Sequence, residues 1–169
     1  MKDNLAIYQA VRAVPTEAQK AFNNGRFSGT DINPMWRIKV LTEQFGPCGI
    51  GWYYTIDKLW LDNGAEGNIT ANAQISLYVK VDGEWSMPIQ GLGGNTFVTK
   101  TATRTTTSDE GYKMALTDAI SVSAKALGIG ADIYFATDRT KYSQTESAIA
   151  TKTDKKDEGA QTFNWGQAA

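Results

Sequence analysis

The chain has 169 residues, 41% hydrophobic and 21% charged, with 17 Lys+Arg against 18 Asp+Glu and a net charge of −1. This is the composition of one globular domain with a real core. It excludes a uniformly basic nucleic-acid binder, so any such role needs cations sorted onto one face or across an assembly. Cys48 is the single cysteine and there is no histidine. An internal disulfide, a cysteine zinc site and every histidine-based triad are thereby excluded. Cys48, next to Gly49, reads as a small buried hydrophobe. No apolar run approaches the length of a membrane span, and MKDNLAIYQAVRAV lacks the charged-then-apolar order of an export signal. A cytoplasmic location is expected.

The elements follow in chain order. Lys2 to Val14 has helical spacing, with Leu5, Tyr8 and Val11 on one side. Pro15 breaks it, Thr16 to Phe22 offers another helical turn or two, and Asn23-Asn24-Gly25 is a loop. Asn33 as N-cap with Pro34 at the first helical position starts a helix whose apolar side is Trp36, Val40 and Leu41. Gly46-Pro47 ends it. An aromatic strand covers Trp52 to Leu61. From Ile69 to Val81 apolar and polar residues alternate without a break, the pattern of a half-buried antiparallel strand. Asp82-Gly83 is a hairpin signal. Trp85, Met87 and Ile89 resume the alternation, with Pro88 marking an irregular or edge strand.

Gly91-Leu92-Gly93-Gly94 reads as the start of a loop, and Thr99 to Thr107 as an extended polar stretch. A capping box, Thr107-x-x-Glu110, then opens a helix that ends at Gly128. Its expected buried side is small: Ala115, Ala119, Val122 and Ala126, flanked by Leu116, Ile120 and Leu127. Thr117, Ser121 and Lys125 form a polar strip at four-residue spacing. Ile133 to Ala136 is a short apolar segment. Residues 143–169 read as a largely disordered tail after a domain of residues 1–142. The fold class is therefore α+β: a three-stranded antiparallel β-meander packed by helices.

Catalytic chemistry finds little support. GLGGN is not followed by the Gly-Lys-Ser/Thr of a phosphate loop. Serines and threonines lack a histidine partner, and the acids show no metal-ligand spacing. Asp109 and Glu110 are explained as acids in the first turn of a helix. The cations are more suggestive. Arg37 and Lys39 lie in a short helix beside an aromatic strand. Lys100 and Arg104 sit in a hydroxyl-rich stretch that can add phosphate hydrogen bonds. Lys113 and Lys125 lie on the later helix. Each is also explained as a solvated surface charge. Trp52, Tyr54, Trp60 and Trp85 are expected in the core rather than as stacking platforms, because they alternate with polar neighbours.

Three pieces together resemble the Rad52-like single-strand annealing proteins, in their short phage form. The first is Arg37-Ile38-x-x-Leu41-Thr42-x-x-Phe45-Gly46 followed by Gly51-Trp52. The second is the alternating strand ending Val81-Asp82-Gly83, with a return strand reaching Gly91-x-Gly93. The third is Lys113-x-Ala115-Leu116-Thr117-Asp118-Ala119-Ile120 followed by Lys125-Ala126-Leu127-Gly128. The resemblance spans Trp36 to Tyr134. It implies a β-β-β-α core, a ring or helical homo-oligomer, and ATP-independent annealing of single-stranded DNA with no catalytic residue and no cofactor. It also implies roles in recombination, a location in the host bacterial cytoplasm if the chain is phage-encoded, and a single-strand binding protein or exonuclease as partner. The tail segment Thr162-Phe163-Asn164-Trp165-Gly166 is one place for such a contact; an inert tail is the other reading.

Carried over residue by residue, the resemblance matches Arg37 to an inner-groove arginine and Lys125 to a groove cation. Two further groove cations fall here at Ser121 and Val122. Lys80 lies next to a second-site lysine position. Lys39, Lys100, Arg104 and Lys113 join the DNA-binding set on charge and position. A non-annealing coating protein, a phage structural or assembly protein, and a metal-dependent nuclease remain the alternatives.

Overall fold

The computed structural model describes residues 3–23, 25 and 28–137. The chain divides into units of residues 1–134 and 135–169, and only 135–137 of the second are described. The expected disordered tail, with Phe163 and Trp165, lies outside the described residues.

Helix α1, Ala6–Val11, is shorter than its spacing indicated and buries Val11. Pro15 then leads into a single 3-10 turn, Thr16–Ala18. The second helical stretch expected through Phe22 is not there. Strand β1, Gln19–Asn23, pairs antiparallel with β2, Ser28–Ile32, from Gln19 opposite Ile32 to Asn23 opposite Ser28. Gln19, Lys20 and Asn23 give a helix no apolar stripe, whereas an extended strand lays Phe22 over Gly29. A Cβ at Gly29 would come within 2.9 Å of that ring.

Helix α2, Pro34–Phe45, begins where the cap signals place it. The Asn33 side-chain oxygen accepts from the Met35 amide at 2.9 Å, and the helix stops at Gly46 with φ 105°. The return through residues 47–51 is tight, since a Cβ at Gly51 would lie 1.8 Å from the Phe45 carbonyl oxygen. Cys48 is exposed in this turn rather than buried. The turn is so compact that it has no interior to put a side chain in.

A five-stranded antiparallel sheet follows. It comprises β3 (Trp52–Asn63), β4 (Ile69–Val81), β5 (Glu84–Trp85), β6 (Ile89–Lys100) and β7 (Thr105–Thr107), in the order β3-β4-β6-β7 with β5 beside β4. The meander expected from sequence is its centre. Asp82 and Gly83 take φ 53° and 86°, the left-handed pair that a two-residue hairpin needs. A bulge between Ile56 and Lys58 shifts the β3–β4 register by one residue. The alternation through Met87 does not hold: pairing lapses between Trp85 and Ile89, and Met87 is exposed. Pro88 has no amide to donate to a ladder.

The glycine run that reads as a loop is the middle of β6. Gly91, Gly93 and Gly94 pair with Ile75, Ala73 and Asn72. The reason lies in α3, Gly111–Ala126, which packs directly on this strand. A Cβ at Gly91 would fall 2.1 Å from the Ala119 carbonyl, and one at Gly93 would fall 2.2 Å from the Ala119 amide nitrogen. Glycine here makes room for a helix. The supposed loop to Thr107 is likewise a hairpin of β6 and β7, in register from Val98 opposite Thr107 to Lys100 opposite Thr105.

The capping box does not form. Glu110 is the N-cap residue without a side-chain cap bond, because Thr107 is held in β7, and Glu110 pairs with Lys113 instead. Ala115 and Ala119 are buried as expected, but Val122 is only half-buried and Ala126 is exposed; Ser123 and Ala124 take their places inside. The helix face is rotated toward residues that fit against glycines. Gly128 ends α3 with φ 90°. Residues Ala131–Thr137 form α4, where the short apolar segment lay. Arg12 binds Asp132 at 2.6 Å, and Gly130 and Asp132 amides donate to the carbonyls of Val11 and Arg12.

The core lies between the helices and one sheet face. Leu41, Trp52, Leu77, Val79 and Ile129 form one cluster, and Ala73, Ile75, Ala115 and Ala119 a second. Fully burying each large aliphatic side chain contributes about 1.5–3 kcal/mol, so this helix-covered face holds the domain together. Of the four aromatics expected inside, only Trp52 is fully buried. Tyr54 and Trp60 are half-buried, and Trp85 is exposed.

Candidate nucleic-acid interface

The start of α2 fixes the geometry of the site. With Asn33 as cap, Arg37 falls one turn into the helix on the side facing β2, α3 and Tyr134. It is 6% exposed. Its Nη1 donates to the Ile32 carbonyl at 3.2 Å and to Ser121 Oγ at 3.1 Å. Its Nη2 donates to the Tyr134 hydroxyl at 2.7 Å. Its Nε is buried with no partner. Among the described residues no carboxylate forms an ion pair with it. Among the described residues this is a desolvated charge held by neutral oxygens. That arrangement is unfavourable by itself and receptive to an anion.

Lys125, in the last turn of α3, lies beside the same group. Its Nζ sits 4.4 Å from the centroid of the Tyr134 ring, a cation–π contact. Tyr134 therefore holds both cations, one through its hydroxyl and one through its ring. The side chains line an open groove of about 730 Å³ together with Thr117, Ser121 and Asn95. Ser121 is anchored in turn, its hydroxyl donating to the Thr117 carbonyl at 2.9 Å. The groove is not uniformly basic. Asp31 and Asp118 also line it, and Asp118 accepts from the Gly94 amide at 3.2 Å.

Of the seven cations singled out from sequence, the structure brings Arg37 and Lys125 together. Lys39 is two residues further along α2, hence on another side of it, and is ion-paired to Glu43 at 3.5 Å. Lys113 pairs with Glu110 in the first turn of α3, about 18 Å along the axis from Lys125 at 1.5 Å per residue. Lys80 lies on the opposite face of the sheet, with Nζ 5.5 Å from the Trp85 ring centroid. Lys100 and Arg104 occupy the β6–β7 hairpin. There the Lys100 amide donates to Asn68 Oδ1 at 2.8 Å, and Thr101 and Arg104 close the turn.

Tyr134 was missed as a functional residue. Its only signal in the sequence is an aromatic residue in a short apolar segment after a glycine cap. Ser121 was noted as the place of a missing cation, yet it lies under the guanidinium of Arg37. A cation at 121 would have to share that space.

Among the described residues no group of three or more acids or cysteines is placed to hold a metal ion. No described helix is long and apolar enough to cross a membrane. No protein-family model matches the sequence, and no curated protein is significantly similar to it.

Proposed function

We propose that this chain binds single-stranded DNA through the Arg37–Lys125 groove and anneals complementary strands without ATP, as a Rad52-like, phage-type annealing protein. One observation carries the reading: a buried arginine that has no counter-charge among the described residues and an unpartnered Nε, lining a groove that also holds Lys125. The α+β class, with its central antiparallel meander and a helix lying along it, is compatible with the fold that the resemblance implies. A phosphate in the groove would supply the missing charge to Arg37, and the Thr117 and Ser121 strip adds hydroxyls.

Annealing of this kind needs no catalytic residue. Cations screen the repulsion between two strands, and a ring or helical homo-oligomer would line up many weak sites on one strand, so that avidity replaces affinity per subunit. A net charge of −1 is tolerable if Arg37 and Lys125 face the DNA, with Asp118 in the same groove engaged by the Gly94 amide. The absence of a cation at Ser121 then has a local cause, since Arg37 already fills the space above it. Recombination in the host cytoplasm, with an exonuclease or single-strand binding protein as partner, belongs to the same proposal.

The test is annealing of two complementary labelled oligonucleotides by purified protein, without ATP, across a salt series. Acceleration that fades as salt rises supports the proposal, and Arg37→Gln should abolish most of it. Binding without acceleration would make this a coating protein. No binding at low salt would overturn the nucleic-acid reading.

A further inference from the structure

The face of the sheet opposite α3 carries no helix among the described residues, and its side chains are unlike those of a plain solvated face. On β4, Ala71, Ala73, Ile75, Leu77 and Val79 are buried, so Asn72, Gln74, Ser76, Tyr78 and Lys80 point the other way. On β3, Tyr53 stands opposite Tyr78, and Trp60 opposite Asn72. The Tyr53 and Tyr78 rings stack at 4.7 Å with an interplanar angle of 11°. Trp85, 42% exposed, meets Tyr53 edge-on at 4.8 Å. Lys80 lies against the Trp85 ring, and Lys58 lies with Nζ 5.0 Å from the Trp60 ring centroid.

The charges on this face are sorted. Asp57 accepts from Ser76 Oγ at 2.6 Å and Thr55 Oγ1 at 2.9 Å. Asp62 accepts from Trp60 Nε1 at 2.9 Å and Asn72 Nδ2 at 3.0 Å. These carboxylates are committed to the sheet's own hydrogen bonds. Lys58 and Lys80 have no ion pair among the described residues. Acids of the β4–β5 turn, Asp82 and Glu84, stand close by in sequence, so ring contact must contribute more than charge.

We infer that this bare face is a base-stacking site for single-stranded nucleic acid, separate from the phosphate groove. Trp85, Tyr53 and Tyr78 take unpaired bases, and Lys80 and Lys58 meet the flanking phosphates. Rings that rise from an open sheet beside lysines with no ion pair among the described residues fit a ligand with flat apolar faces and a negative backbone. A duplex hides those faces, so the site selects single strands. The ligand class rests on the proposed function; the site itself does not use Arg37 or Lys125.

The test compares a labelled oligothymidylate with an abasic phosphodiester of equal length, by anisotropy at fixed salt. The native protein is expected to favour the oligothymidylate by about fivefold or more, the effect of at least one stacked base. Trp85→Ala, alone and with Tyr53→Ser, should bring the oligothymidylate affinity down toward the abasic value, while Trp85→Phe retains most of the preference. Arg37→Gln should weaken both probes in the same proportion. Equal binding of both probes by the native protein would overturn the stacking site, as would an undiminished preference in the double variant, its fold checked by thermal melting. Loss of preference in Trp85→Ala with no effect of Arg37→Gln would overturn the groove and leave the stacking site standing. No binding of either probe would overturn both.

Discussion

The two faces of the sheet are built on opposite terms. On the covered face, α3 lies so close that β6 is glycine beneath it, and the atoms nearest those glycines are the backbone of Ala115, Asp118 and Ala119 and the Ser123 hydroxyl. On the bare face, aromatic rings and long polar side chains stand free of any described helix. The adjacent residues Gly93 and Gly94 show the contrast in one place. A Cβ at Gly93 would strike backbone, 2.2 Å from the Ala119 nitrogen and 2.3 Å from the Ala115 carbonyl oxygen, while one at Gly94 meets first the side-chain oxygen of Asn72 at 2.9 Å. Packing is rigid on one side and adjustable on the other. Binding is accordingly expected to be sensitive to stability only where it uses the covered side.

The largest expected effect breaks that comparison directly. Gly93→Ala should destabilise the domain by about 3 kcal/mol or more, because α3 must move off the sheet. Gly94→Ala should cost about 1 kcal/mol or less, since Asn72 can turn aside. Urea midpoints for the pair measure it; equal shifts would mean that the two faces do not differ as described.

Next comes Ser121→Lys. Restoring a cation at this position would be expected to strengthen binding if the resemblance alone were followed. Here it would press a second charge against buried Arg37, and a loss of about 3 kcal/mol of stability is expected from thermal melting. A stable variant with tighter DNA binding would contradict the local geometry.

Arg37→Gln separates function from fold. Charge-assisted hydrogen bonds contribute about 1.5–3 kcal/mol, so single-strand affinity should fall about tenfold or more. The change in unfolding free energy should stay below about 2 kcal/mol, because relief of a desolvated charge offsets the lost bonds. Severe unfolding would make Arg37 a structural residue.

Tyr134→Phe is a finer cut. It removes the acceptor of Arg37 Nη2 but keeps a ring under Lys125. About 1 kcal/mol of stability and a few-fold loss of affinity are expected, with Lys125→Gln still lowering affinity further in that background. An unchanged affinity would show that Arg37 is held adequately by Ile32 and Ser121. Smallest of all is Lys39→Ala, whose exposed pair with Glu43 contributes less than about 0.5 kcal/mol. Both melting temperature and DNA affinity should stay at native values, and a marked loss of binding would extend the site around α2.

Local signals were legible where the chain itself supplies the partner. Asn33-Pro34 starts α2 because the cap oxygen and the amide it meets are two residues apart. The alternation from Ile69 to Val81 marks β4 because one face meets helices and the other meets none among the described residues. Asp82-Gly83 and Gly128 mark left-handed backbone that few other residues adopt. The same local reading misplaced the glycines of β6, the capping box and the β1–β2 hairpin. In each of these cases a pairing or packing partner outside the segment decides what it can do.

The cations divide in the same way. Sequence alone determined the α+β class and the lack of histidine chemistry, and that any nucleic-acid site must sort its charges. It marked Arg37 and Lys125 as groove cations through the resemblance but gave no contact that joins them. Only the tertiary structure decided that, by bringing Ser121 from 84 residues away and Tyr134 from 97 residues away onto one guanidinium. It also decided which aromatics face outward. Whether a tryptophan on a strand is core or surface depends on which side the helix covers, and strand alternation gives only the spacing of the two sides.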